Sequence, residues 1–186
     1  VNGVTGVVEL TCGGHDCCVR LTTGAVRCWG DNQQGQLGDG STTNRATPML
    51  VPGLSGVVEM SVGGSHSCAR LADGTVRCWG SNVDGQIGDG SLESRRLSPV
   101  PVIGVANAIG ITVGTAYTCA LIAGGTVLCW GNGASGQAGH IIDPTNLHVI
   151  FNDPPVRCSA MPSAPAAEVC ADALDNDCDG VIDNGC

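Results

Sequence analysis

Short runs of alternating apolar and polar residues, rich in valine, leucine and threonine, follow one another along the first three quarters of the chain. Glycine pairs and Asp-Gly steps break them. Such runs are strand and hairpin signals, and no stretch carries a sustained helical period. The pattern also repeats. VVELTCGGHDCCVRLTTGAVRCWGDNQQGQLGDGS (7–41) aligns with VVEMSVGGSHSCARLADGTVRCWGSNVDGQIGDGS (57–91) and with AIGITVGTAYTCALIAGGTVLCWGNGASGQAG (108–139), at intervals of 50 and 51 residues. Internal repetition at this period marks blades or solenoid turns. The expected fold is therefore all-β, built of propeller-like antiparallel blades.

The hairpins predict a cysteine pairing. Cys68 and Cys78 flank ARLADGTVR. If Ala72-Asp73-Gly74 is a three-residue loop with Gly74 in the left-handed bulge position, Cys68 stands opposite Cys78. The same construction places Gly24 between Cys18 and Cys28, and Gly125 between Cys119 and Cys129. Counting outward from each loop, every pair falls at a non-hydrogen-bonded site, where Cα atoms lie about 4.5 Å apart, within reach of a disulfide. Each bridge is expected to contribute about 2–4 kcal/mol.

Composition makes those bridges matter. Only five of 186 residues are aromatic and 29 are glycine, so large side chains supply little of the core. Twelve cysteines in a recurring spacing fit a protein that folds where thiols oxidise, and extracellular, secreted or cell-surface placement is expected. The start of the sequence shows no signal peptide, as expected of a processed secreted chain or a fragment. Six cysteines lie outside the hairpins (Cys12, Cys17, Cys158, Cys170, Cys178 and Cys186), and six allow 15 connectivities. Cys12 with Cys17 is the preferred pair.

The Trp-Gly and Gly-Gln strings add a family likeness. CWGDNQQGQLGDGS, CWGSNVDGQIGDGS and CWGNGASGQAG resemble the regulator-of-chromosome-condensation type repeat over roughly residues 1–150. The resemblance implies four-stranded blades with Trp29, Trp79 and Trp130 packed between them. It also implies a complete ring of about seven blades, and propellers in general need at least four. Three copies do not close a ring. The third departs from the others, with Gly133 for Asn32 and Asn82, and Ala138 for Leu37 and Ile87. Members of that family serve as binding scaffolds, exchange factors or inhibitors, and the blade motif alone selects none of these roles.

The net charge of −9 is unevenly spread: residues 168–186 hold six acidic groups and no base. Within them Asp175, Asp177, Asp179 and Gly180 form D-x-D-x-D-G, the opening of a calcium loop, with oxygen ligands on alternate residues and glycine at the sharp turn. Asp183 takes the ninth position and the Val181 carbonyl the seventh, while Cys186 stands where an EF-hand has its bidentate glutamate. Oxygen ligands without histidine favour calcium over zinc or copper. The DNDCDG core also resembles the acidic metal-binding repeats of MopE-type and thrombospondin type 3 proteins. Residues 1–157 are thus expected to form the repeat domain, 158–168 a Pro/Ala/Ser linker, and 169–186 a calcium-binding tail.

Other functions find little support. The chain has eight arginines, no lysine and no basic patch, so nucleic acid is not expected as a partner. The uncharged stretch 97–139 is interrupted by glycine, threonine and asparagine, and is read as β-structure rather than a membrane span. His15, His66, His140 and His148 have no partnered nucleophile, and no enzymatic activity is expected. Asp39, Asp84 and Asp89 in glycine-rich loops are explained by turn chemistry.

In the third unit, Leu121 and Leu128 replace the arginine pairs Arg20/Arg27 and Arg70/Arg77. These leucines are candidate interface residues, expected to dock on another subunit. Two roles follow. One is an extracellular structural protein that self-associates into a ring or filament with a calcium-stiffened tail. The other is a section of a secreted propeller that binds a protein or glycan partner.

Overall fold

A computed structural model describes residues 4–91 and 93–134. Eleven strands form three antiparallel sheets, each in sequence order. The first contains β1 (Val7–Cys12), β2 (Asp16–Leu21), β3 (Val26–Gly30) and β4 (Arg45–Leu50). The second contains β5 (Val57–Val62), β6 (His66–Leu71), β7 (Val76–Ser81) and β8 (Arg95–Pro101). The third contains β9 (Ala108–Val113), β10 (Tyr117–Ile122) and β11 (Val127–Gly131). Among the described residues no helix forms.

The central hairpins have the geometry that their glycines dictate. In the second sheet the Gly74 N–H donates to the Leu71 carbonyl and the Leu71 N–H to the Thr75 carbonyl, closing a three-residue loop. Gly74 has φ +79°, a conformation that costs a residue with a Cβ but not glycine. Asp73 stabilises the same turn by accepting from both the N–H and the hydroxyl of Thr75, which holds its carboxyl below the usual range. The equivalent loops carry Gly24 and Gly125 with the same pair of bonds. From these turns the ladder places Cys18 opposite Cys28, Cys68 opposite Cys78, and Cys119 opposite Cys129.

An irregularity in each first strand was not legible beforehand. Register shifts between Val7 and Glu9, between Val57 and Glu59, and beside Gly110 insert one extra residue: Val8, Val58 and Ile109. Each of these three is exposed. The bulge breaks the two-residue alternation, so Val57 joins Met60 and Val62 in one core while Glu59 remains on the other side.

That core lies between sheets rather than within one. Cys18, Val26, Cys28, Leu37 and Val51 of the first unit pack against Val57, Met60, Val62, Ala69, Leu71 and Trp79 of the second. A second cluster joins Cys68, Val76, Cys78, Ile87, Val102 and Val105 to Ala108, Ala120 and Trp130. Each sheet therefore has a leading face toward the preceding unit and a following face toward the next. Glycine permits the close approach at one end: a Cβ on Gly13 would sit 1.8 Å from the Gly63 carbonyl oxygen, and one on Gly63 would sit 2.2 Å from that of Gly114.

Candidate functional site: the joint between blades

Each joint is organised around one main-chain carbonyl. Asn32 is buried and folds the loop after β3 about itself: its side-chain carbonyl accepts the Leu37 N–H at 3.0 Å, and its Nδ2 donates to the carbonyls of Ser41 and Thr43. Asp39 fastens the other side of this loop, accepting from the Ser41 N–H and hydroxyl, from Asn32 Nδ2 and from Arg45 Nε. Burial alone would raise the Asp39 carboxyl, but these donors outweigh it and hold it below its ordinary value. The loop so built presents the Gln36 carbonyl to the next sheet. Trp79 Nε1 donates to it at 2.8 Å and Ser67 Oγ at 3.0 Å.

Gly38, at φ +68°, lies under the Trp79 indole, where a Cβ would approach Nε1 to 2.7 Å. A side chain there would push the tryptophan off its acceptor. The second joint repeats the arrangement. Asn82 organises its loop, the Gln86 carbonyl accepts from Trp130 Nε1 and Thr118 Oγ1 at 2.9 Å each, and Gly88 lies under Trp130. Asp84 accepts from Asn132 Nδ2 across this joint, and Asp89 accepts from the Ser91 N–H and Arg96. The three loop aspartates are thus engaged in loop and joint bonding.

A second linkage runs along the first strands. Arg20 Nε donates to Glu9 Oε2 at 2.7 Å, and Glu9 Oε1 accepts the Met60 N–H of the next sheet at 3.0 Å. Arg70 and Glu59 form the same pair, with Glu59 Oε1 facing the Ile111 N–H at 3.4 Å. Arg20 and Arg70 are therefore parts of the joint rather than cations that merely keep a strand surface wet. In the third sheet both members change together, to Gly110 and Leu121. This paired change is present in the repeat alignment, and so are the recurring Gln36 and Gln86. What one sequence does not reveal is that glutamine acts here through its main chain.

Two ionisable groups are buried at equivalent positions of neighbouring sheets. His66 Nε2 lies 2.9 Å from Thr118 Oγ1. The Thr118 hydroxyl spends its one proton on the Gln86 carbonyl, so His66 must donate from Nε2 and carry a bare Nδ1, which has no partner. Burial pushes this imidazole down to about 4. Asp16, at the matching place in β2, is buried with neither carboxylate oxygen hydrogen-bonded. Burial first, and the nearby Asp31 charge second, push its carboxyl up to about 7.

The structure brings the six hairpin cysteines together as Cys18–Cys28, Cys68–Cys78 and Cys119–Cys129, each with Cα atoms 4.1 Å apart, and joins Cys12 to Cys17. Asp175, Asp177, Asp179, Val181 and Asp183, the linker, and Cys158, Cys170, Cys178 and Cys186 lie outside the described residues. The two candidate interface leucines do not share a face. Leu121 pairs with Val127 and Leu128 with Ala120, which puts them on opposite sides of the sheet. Leu128 packs against the core between the second and third sheets, whereas Leu121 is exposed. Leu128 is therefore removed from the candidate interface. Trp29 differs from its two counterparts as well: it is only half-buried, in a shallow apolar pocket with Val4, Val7, Leu10 and Val19.

Repeated antiparallel blades joined through tryptophan and a glycine-rich loop define a propeller-type repeat protein. Family models described as Regulator of chromosome condensation (RCC1) repeat match residues 23–70 and 73–121, and, in a second model, residues 7–36 and 57–86. The chain belongs to the RCC1 repeat family. Among solved structures it is similar to human WBSCR16, with 23% identity and a TM-score of 0.65 over 70% of this chain and 34% of that one. It is also similar to Prp20p from Saccharomyces cerevisiae, a protein that binds Gsp1p and histones, with 20% identity and a TM-score of 0.68 over 74% of this chain and 36% of that one. Yeast RCC1 (Prp20) with Kap60 bound gives 20% identity and a TM-score of 0.63, over 70% and 33%. The chain thus spans about a third of the length of these structures.

Proposed function

We propose that the chain is a secreted, non-enzymatic structural module that assembles by adding blade to blade, with a calcium-binding tail. One observation carries the reading. Both joints are built from the following face of one sheet and the leading face of the next, and among the described residues Val7 and Leu10 on the leading face of the first sheet and Leu121 and Val127 on the following face of the third are exposed. Four bonded cysteine pairs among the described residues support an oxidising, extracellular setting. Light scattering on the 186-residue chain over a wide concentration range tests the assembly reading. A ring or polymer is expected, and a monomer throughout would reject it.

A second reading is favoured by the length relation to the RCC1-type structures. In it the chain is a section of a longer secreted propeller whose loops bind a protein or a glycan, and a monomer that captures such a partner is its signature. The binding of Gsp1p and histones by Prp20p supports a protein partner in general terms.

The tail completes the proposal. Calcium is held by Asp175, Asp177, Asp179 and Asp183 with the Val181 carbonyl, a set of hard oxygen donors. Alanine at both Asp177 and Asp179 is expected to abolish calcium-dependent protection of the tail from protease while the hairpin disulfides persist. If chelation leaves protection of the wild-type tail unchanged, the segment is acidic but not a calcium site.

A further inference from the structure

We infer that Asp16 and Asp31, together with the Ser67 hydroxyl oxygen of the next sheet, hold a hard divalent cation such as calcium inside the first joint. These residues are other than those of the tail, and the site does not depend on how the chain assembles.

The repeats single out the first joint. Asp16 pairs with Gly30 across β2 and β3, and the N–H of Asp31, the next residue, donates to the His15 carbonyl at 3.0 Å. The ladder thus sets the two acids side by side. The same positions hold His66 and Ser81 in the second unit and Tyr117 and Asn132 in the third, so the paired carboxylates are peculiar to the first. Asp16 is 3% exposed, and neither of its oxygens meets a donor. Among the described residues the charge that acts on it is that of Asp31, which has the same sign. A buried carboxylate so placed calls for a positive centre beside it.

The second joint shows where that centre lies. Asp16 stands two residues before Cys18 on β2, so its side chain points, like that of Cys18, toward the second sheet. Its counterpart His66 crosses the next joint to Thr118 Oγ1 at 2.9 Å. Ser67 is the counterpart of Thr118, and each gives its hydroxyl proton to the loop carbonyl, that of Gln36 or of Gln86. An aspartate ends one atom short of an imidazole Nε2 and does not reach across. Lone pairs of Asp16 therefore face lone pairs of Ser67. Asp31 adds a second carboxylate, with Oδ2 taken by Gln36 Nε2 and Oδ1 holding only a long bond of 3.4 Å to the Gln33 N–H. Two carboxylates match the charge of a divalent ion, and oxygen donors alone suit calcium, with water completing its coordination. Asp31 is half-buried, which gives the ion a route from solvent.

The test uses the chain carrying Asp177→Ala and Asp179→Ala, which removes central ligands of the tail. In dilute solution at pH 8, calcium chloride is expected to raise its melting temperature above that in chelator. Terbium should luminesce on excitation of tryptophan, because Trp79 and Ser67 share the Gln36 carbonyl. Asp16→His with Asp31→Ser rewrites the first joint in the residues of the second, and its imidazole can donate to Ser67 as His66 does to Thr118. That protein should fold, by circular dichroism, while the calcium needed for half-maximal stabilisation rises at least tenfold and the terbium signal is lost. If it does not fold, Asp16→Asn, of unchanged size, is read in its place. Absence of either signal before the joint is rewritten, or survival of the calcium response in the folded variant, overturns the site. In chelator a proton takes the place of the ion on Asp16.

Discussion

Trp79→Ala is expected to destabilise the protein by about 3–5 kcal/mol, while the same substitution at Trp29 should cost about 1 kcal/mol. The two residues occupy the same motif position, so the difference comes from what lies against them. Trp79 is fully buried, its indole N–H is bonded to the Gln36 carbonyl, and its ring covers Gly38. Removing it opens a cavity at the centre of the first joint and takes one donor from that carbonyl, leaving Ser67. Trp29 is half-buried against a few valines and Leu10. Gly38→Ala attacks the first joint from the other side, forcing a Cβ into a left-handed residue and against the Trp79 ring, and should lower stability by more than 1 kcal/mol. Urea unfolding of the three variants under oxidising conditions, at concentrations low enough that the chain is unassembled, gives the comparison. Equal losses at Trp79 and Trp29 would mean that the joint is not what holds neighbouring sheets together.

The hairpins were legible because their information is local. Loop glycine, turn type and cysteine spacing all lie within a dozen residues, and Gly24, Gly74 and Gly125 set the register that the ladders display. The joints were less legible, because their key atoms are main-chain carbonyls and N–H groups whose use depends on how sheets stack. Nothing in the strand pattern marks Arg20 and Arg70 as joint residues, and only the stacked sheets reveal the bond from Glu9 to the next strand. The bulge at Val8, Val58 and Ile109 mattered for the same reason. Strict alternation puts Val57 with Glu59, and one inserted residue reverses this. Leu121 and Leu128 were grouped by their shared departure from arginine, yet an odd separation along a hairpin sends them to opposite faces. The tail's calcium pattern, by contrast, was read from spacing alone and lies outside the described residues.

Stability between pH 4 and pH 6.5 is expected to be nearly flat in the wild type, because two buried groups pull in opposite directions. Asp16 rises from 3.8 to about 7 on folding. As pH climbs through this range the unfolded chain loses that proton while the folded one keeps it, so stability falls by about 1.4 kcal/mol per pH unit. His66 falls from 6.5 to about 4 on folding. Its contribution is complete above 6.5 and is lost as pH drops toward 4, because the unfolded imidazole takes a proton that the folded one refuses. That slope is also about 1.4 kcal/mol per pH unit, with the opposite sign. Asp39, whose carboxyl is held low, acts only below this window. Removing one group should unmask the other. Asp16→Asn is expected to gain about 4 kcal/mol at pH 8 and little at pH 4, leaving a protein that weakens steadily in acid. His66→Gln should do the reverse, losing stability from pH 4 to pH 7. Thermal unfolding of wild type and both variants in chelator at several pH values measures the slopes, and an Asp16→Asn effect of the same size at pH 4 and pH 8 would show that the carboxyl is not held protonated by the fold.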